Sequence, residues 1–141
     1  MANKIIINDG LKTYDIENQD GKLLGQFSFN PSDTNIIHRY NDVVKSLEEF
    51  AKQIDKKEEA EIEDVLNEVE PLIFEKIDFL LNANISEKFF SIMGPFSPLE
   101  SGKYYIESVI DAIGQAIQQE TGKRVEKMNG KIKKHTSKYH G

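Results

Sequence analysis

The stretch FSFNPSDTNIIHRY, Phe27 to Tyr40, divides the chain into its two kinds of structure. Before Asn30 the apolar residues alternate, as in a strand with one buried face. Pro31 has no N–H for a ladder and keeps Asn30 extended, so the strand stops there. After it, Ser32, Asp33 and Thr34 offer short side-chain oxygens that accept the orphan N–H groups of a helix start. From Ile36 onward the apolar spacing is three and four. The segment has two readings, a ligand-holding loop or a strand-to-helix junction. Capping alone accounts for its polar residues, so the junction is preferred.

Upstream, KIIIN at 4–8 is β-branched, TYDIEN at 13–18 alternates, and Asp20-Gly21 suits a tight hairpin turn. LLGQFSF then places Leu23, Gly25, Phe27 and Phe29 on one face. These residues predict one to three strands within a β-hairpin region spanning 4–29. A lone hairpin is marginal in water, so the Phe27/Phe29 face should pack on a helix.

Downstream, Ile36, Ile37, Tyr40, Val43, Val44, Leu47, Phe50, Ala51 and Ile54 form the clearest amphipathic stripe in the chain. A second helix carries Ile62, Val65, Leu66, Val69, Ile73, Ile77, Leu80 and Leu81, with Pro71 expected to kink or split it. Asn84 or Ser86 is the candidate cap of a short helix that ends at Gly94-Pro95. A further helix follows from Tyr104, with Gly122 as its stop. Gly114 interrupts that helix at a cost of about 1 kcal/mol relative to Ala, which points to another helix in close approach, in the core or in a partner. The expected fold is mainly α: an N-terminal β-hairpin followed by a bundle of about four helices. Residues 1–121 form one domain, with helices from about 34, and residues 122–141 form a basic tail. Val125, Met128 and Ile132 give that tail a helical spacing.

Charge is unevenly spread over the 141 residues. The tail holds Lys123, Arg124, Lys127, Lys131, Lys133, Lys134 and Lys138 against one acid, Glu126, a balance of +6. The whole chain carries −6, so residues 1–121 carry −12. A basic tail on an acidic body implies an acidic counterpart: nucleic acid, another copy's body, or this chain's own helices. Tyr139 is the tail's one aromatic residue and the sequence pI is about 5.1, which argues against nucleic acid.

Chemistry is sparse. There is no cysteine, so disulfides, thiolate metal sites and a Cys nucleophile are excluded. His38, His135 and His140 match no metal-ligand spacing. The glutamate pairs at 48–49 and 58–59 lie opposite apolar stripes, where they face water and do not converge on a desolvated site. No nucleophile elbow or phosphate loop occurs. No catalytic residue, metal or cofactor is expected. The apolar run of MANKIIINDG is too short for a signal peptide, and no stretch reaches the roughly 20 residues of a membrane helix.

The most apolar connector is FFSIMGPFSPLESGKYY, 89–105. Phe89, Phe90, Met93, Phe96, Leu99, Tyr104 and Tyr105 crowd around two prolines. Core is their default role, and a protein interface is the alternative, because aromatic and Met residues are enriched at interface centres.

LLGQFSFNPSDTNIIHRY, FFSIMGPFSPLESGKYYIESVIDAIGQAI and KIKKHTSKYH together resemble small phage and prophage proteins of Firmicutes. Proteins of this size and helical character there are often tail assembly chaperones of long-tailed phages. The resemblance implies a helical, oligomeric, non-enzymatic helper in the host cytoplasm. Such a helper coats the tape-measure protein, recruits tail-tube subunits and then leaves. The rival expectations are a tail or connector protein retained in the virion, and a regulator that binds nucleic acid through the basic tail.

Overall fold

The computed structural model describes residues 2–122; the basic residues 123–141 and their expected helix lie outside the described residues. The order is β1 (Lys12–Glu17), β2 (Leu23–Phe29), α1 (Asn35–Asp55), α2 (Glu59–Leu81), α3 (Ser86–Phe90) and α4 (Tyr105–Thr121). This is the expected mainly α fold, a two-stranded antiparallel hairpin followed by four helices.

The hairpin pairs Tyr14 with Phe27 and Ile16 with Gly25. Its turn is longer than the Asp20-Gly21 pair suggests. The Asn18 side chain accepts the N–H groups of Asp20 and Lys22, and Gly21 supplies the left-handed residue at φ +83°. A bulge at Ile16/Glu17 shifts the register there, so Glu17 pairs with Leu23. Past that shift Leu23 is exposed, off the face it was expected to share with Phe27 and Phe29. On that face Phe27 meets Phe29 and Tyr14, and crosses to Phe89 of α3 at 4.9 Å between ring centroids. The hairpin therefore packs on a helix, as its instability alone requires.

The strand expected at 4–8 does not form. Asn8 and Asp9 turn their amide and carboxylate oxygens onto the N–H groups of Gly10 and Leu11, and the Asn30 amide donates to the Asp9 carbonyl. These local bonds compete with a ladder. Gly10 takes φ +76°, and Ile5, Ile6 and Ile7 are left 77–94% exposed.

The junction is built one residue earlier than its cap would suggest. Thr34 makes no side-chain cap bond; instead Asp33 Oδ1 accepts the Asn35 N–H at 3.0 Å. Asn30 Oδ1 accepts from the Ser32 N–H and hydroxyl, and Pro31 is buried. Phe29 and Ile36, on either side, both enter the core. Arg39 then ties the junction to the end of α2, with Nε donating to the Leu80 carbonyl at 3.1 Å and Nη2 3.6 Å from Asp33.

The α1 stripe is buried as read: Ile36, Tyr40, Val43, Val44, Leu47, Ala51 and Ile54 are all core. Residues 56–58 turn the chain into α2, whose Val69, Ile73, Ile77 and Leu80 face that stripe in one cluster. Pro71 does not split α2, which runs unbroken from Glu59 to Leu81. Pro71 is exposed there, so its ring and missing N–H fall on the water side of the helix. Asn82 ends α2 in the left-handed region at φ 55°. α4 closes the core with Ile106, Ile110, Ile113 and Ile117.

Gly114 meets the core, not a partner. A Cβ there would sit 2.5 Å from the Tyr40 hydroxyl. Among the described residues, no helix is long and apolar enough to cross a membrane.

Candidate functional site

The Phe89–Tyr105 connector is positioned by a carboxylate that sequence reading missed. Asp78, on the last full turn of α2, accepts the N–H groups of Ile85 and Ser86 at 2.8 and 2.7 Å through Oδ1. Its Oδ2 accepts the Ser86 hydroxyl at 3.1 Å. Neither Asn84 nor Ser86 caps α3; the cap comes from a different helix, seven residues back. A charge-assisted bond to two backbone donors fixes the direction in which α3 leaves.

That direction drives Phe89 and Phe90 inward, where both are core. Phe90 stacks on Phe74 at 4.8 Å and meets Tyr105 edge-on at 6.2 Å. The Tyr105 hydroxyl donates to the Phe89 carbonyl at 2.9 Å, and burial pushes that phenol's pKa above its usual value. Phe89 and Phe90 therefore leave the expected interface set: their rings hold α3 onto α2, α4 and the hairpin.

The rest of the connector is a built loop. Leu99 N–H donates to the Lys103 carbonyl, and Pro98 and Tyr104 form an antiparallel bridge. The Ser97 and Pro95 carbonyls accept the N–H groups of Tyr105 and Ile106 at 2.9 and 2.8 Å, satisfying orphan donors at the start of α4. Glu107, 1% exposed, accepts the Tyr104 N–H at 3.1 Å. Phe96 and Tyr104 pack edge to face, both half-buried, as are Leu99 and Tyr105. Met93 is the one clearly exposed member of the seven, at 37%.

The larger exposed apolar surface lies elsewhere. Ile5, Ile6 and Ile7 project from the Gly10 turn, with Leu11 beside them. Leu72 and Phe79, seven residues apart on one side of α2, are also exposed. The signal for Ile5–Ile7 was present in the sequence, as the longest β-branched run, but it read as strand because the Asn8/Asp9 turn was not recognised.

An apolar groove of about 220 Å³ runs between β1 and α4. Tyr14, Ile16, Phe27 and Phe89 form one wall and Ala112, Ile113 and Ala116 the other, while the Asp15 side chain faces away and accepts from Gln26. Tyr14 has its pKa raised, first by burial and then by the nearby Glu120 carboxylate. Lys12 reaches Glu120 at 2.5 Å and closes one end.

Lys123, Arg124, Lys127, Lys131, Lys133, Lys134 and Lys138 fall outside the described residues. Among the described residues, no group of three or more His, Asp or Glu side chains is placed to hold a metal ion. His38 is exposed on α1. Compared with known proteins, the chain matches no family model, no curated protein and no solved structure.

Proposed function

We propose that this chain is a non-enzymatic assembly protein of long-tailed phages. It binds the tape-measure protein and recruits tail-tube subunits in the host cytoplasm, acting as an oligomer. The resemblance of its sequence segments to phage and prophage proteins supplies the class. The observation that carries the binding role is the N-terminal arm, with Ile5, Ile6 and Ile7 exposed on three consecutive residues. Burying one such side chain is worth about 1.5–3 kcal/mol. An arm that withholds three of them from its own core is suited to an extended or helical partner with an apolar stripe. The acidic face of α2 keeps the loaded complex soluble.

The test is co-expression with a tape-measure protein from a phage genome that encodes this chain. The wild-type chain keeps that protein soluble, and the variant I5S/I6S/I7S, which removes no core contact, does not. Equal solubility with and without the chain would sink the reading. Recovery of the chain from purified virions by mass spectrometry would replace it with a structural tail role.

A further inference from the structure

Leu72 and Phe79 are 43% and 53% exposed, on a side of α2 that the core residues Val69, Ile73 and Ile77 leave free. Between them in sequence lie Glu75 and Lys76, and Lys76 is the only basic residue of an otherwise acidic helix. Among the described residues, neither Glu75 nor Lys76 makes an ion pair. Helical geometry puts all four side chains on one strip. Measured from the strip's midline, Leu72 and Phe79 lie within about 10°, with Glu75 about 50° to one side and Lys76 about 50° to the other. An apolar seam with one charge of each sign on its opposite edges is complementary to a second copy of itself.

We infer that this strip is a contact between two copies of the chain, with their α2 helices side by side and parallel. The inference rests on the oligomeric state proposed above and gives it a surface. Charge chooses the direction. A two-fold axis along the helices brings Glu75 of each copy beside Lys76 of the other, so both charges gain a partner. Leu72 then meets Leu72 and Phe79 meets Phe79 across the axis, and four large apolar side chains leave water. An antiparallel pair would bury the same apolar residues as Leu72 against Phe79. It would also set Glu75 against Glu75 and Lys76 against Lys76, and like charges placed together destabilise a helix pair. Glu68, the next residue back on the strip, would meet its own copy in the parallel pair. The contact is therefore centred on residues 72–79, and the helices diverge before Glu68. So short a seam gives an association in the micromolar range.

The absence of native cysteine makes disulfide trapping in the full chain a clean test. Leu72→Cys and Phe79→Cys, as single variants, should each oxidise to a covalent dimer about tenfold faster than Asn67→Cys, which is exposed on another side of α2. In an antiparallel pair the two copies of either residue stand about 10 Å apart along the axis, too far for that bond. Sedimentation of the cysteine-free chain reads the charges. Glu75→Lys and Lys76→Glu should each weaken the dimer about tenfold, and the double variant E75K/K76E should restore it. These side chains lie outside the core, and circular dichroism checks that each variant stays folded. A chain that stays monomeric at every concentration, or equal oxidation at 67, 72 and 79, would overturn the inference. A disulfide formed only when the Leu72→Cys and Phe79→Cys chains are mixed would make the pair antiparallel and overturn the charge assignment, as would a dimer untouched by Glu75→Lys. A dimer with these properties that leaves the tape-measure protein insoluble would sink the proposed function and support this contact.

Discussion

The Tyr40 hydroxyl lies against Gly114 and donates to the Ile110 carbonyl at 3.1 Å, joining α1 to α4 where a side chain would not fit. The added Cβ would stand 2.5 Å from that hydroxyl and 2.9 Å from the ring carbon bearing it. Tyr40 is 1% exposed, so it has no open space to move into. Gly114→Ala gains helix propensity but overpacks the core, for a net loss of about 1–3 kcal/mol. Tyr40→Phe leaves the carbonyl without this donor and costs about 1 kcal/mol. Both touch one contact, so the double variant should lose less than the sum of the two. Urea denaturation of the four proteins measures this, and strict additivity would contradict it.

Alkaline pH should act through the same tyrosine. Burial is the first cause that raises the Tyr40 pKa, with the Asp111 carboxylate second, and burial raises that of Tyr105. The folded state therefore favours the neutral phenols. Their contribution to stability is fully present below the unfolded tyrosine pKa of about 10 and is lost as pH rises above it. Ultraviolet titration of tyrosinate should show these phenols ionising only with unfolding. Tyr40→Phe should flatten the stability loss above the unfolded value, and an unchanged slope would count against the assignment.

Asp78→Ala removes the acceptor for two α3 backbone N–H groups and the Ser86 hydroxyl. The expected loss is about 1–3 kcal/mol. Amide exchange should quicken first at Ile85 and Ser86, ahead of the α1 and α2 cores. Protection unchanged at those two amides would show that the carboxylate does not hold α3.

The aromatic connector can be divided by mutation. Phe89→Ala and Phe90→Ala each open a core cavity and should cost about 3–5 kcal/mol. Met93→Ala, on an exposed side chain, should stay within about 0.5 kcal/mol. Thermal unfolding of the three variants separates them, and a neutral Phe90→Ala would return that ring to the candidate surface.

The amphipathic stripes of α1, α2 and α4 were legible because a spacing of three and four leaves one face with nowhere to go but the core. The end of the hairpin strand at Pro31 was legible because a missing N–H is a local fact. Gly114 was legible as a close approach, but only the packing of α1 on α4 named Tyr40 as the neighbour and gave the position to the core. The cap of α3 was illegible, since Asp78 sits in another helix and local rules look only at Asn84 and Ser86. The Asn8/Asp9 turn rests on bonds two residues long and was open to local reading; only its tie to the Asn30 amide comes from the far end of the hairpin. Local patterning determined which segments are helix and which faces are apolar. Only the tertiary structure decided which apolar residues are spent on the core, as Phe89 and Phe90 are, and which stay in water, as Ile5 to Ile7 do. That choice depends on contacts between residues distant in the chain, which no local spacing encodes.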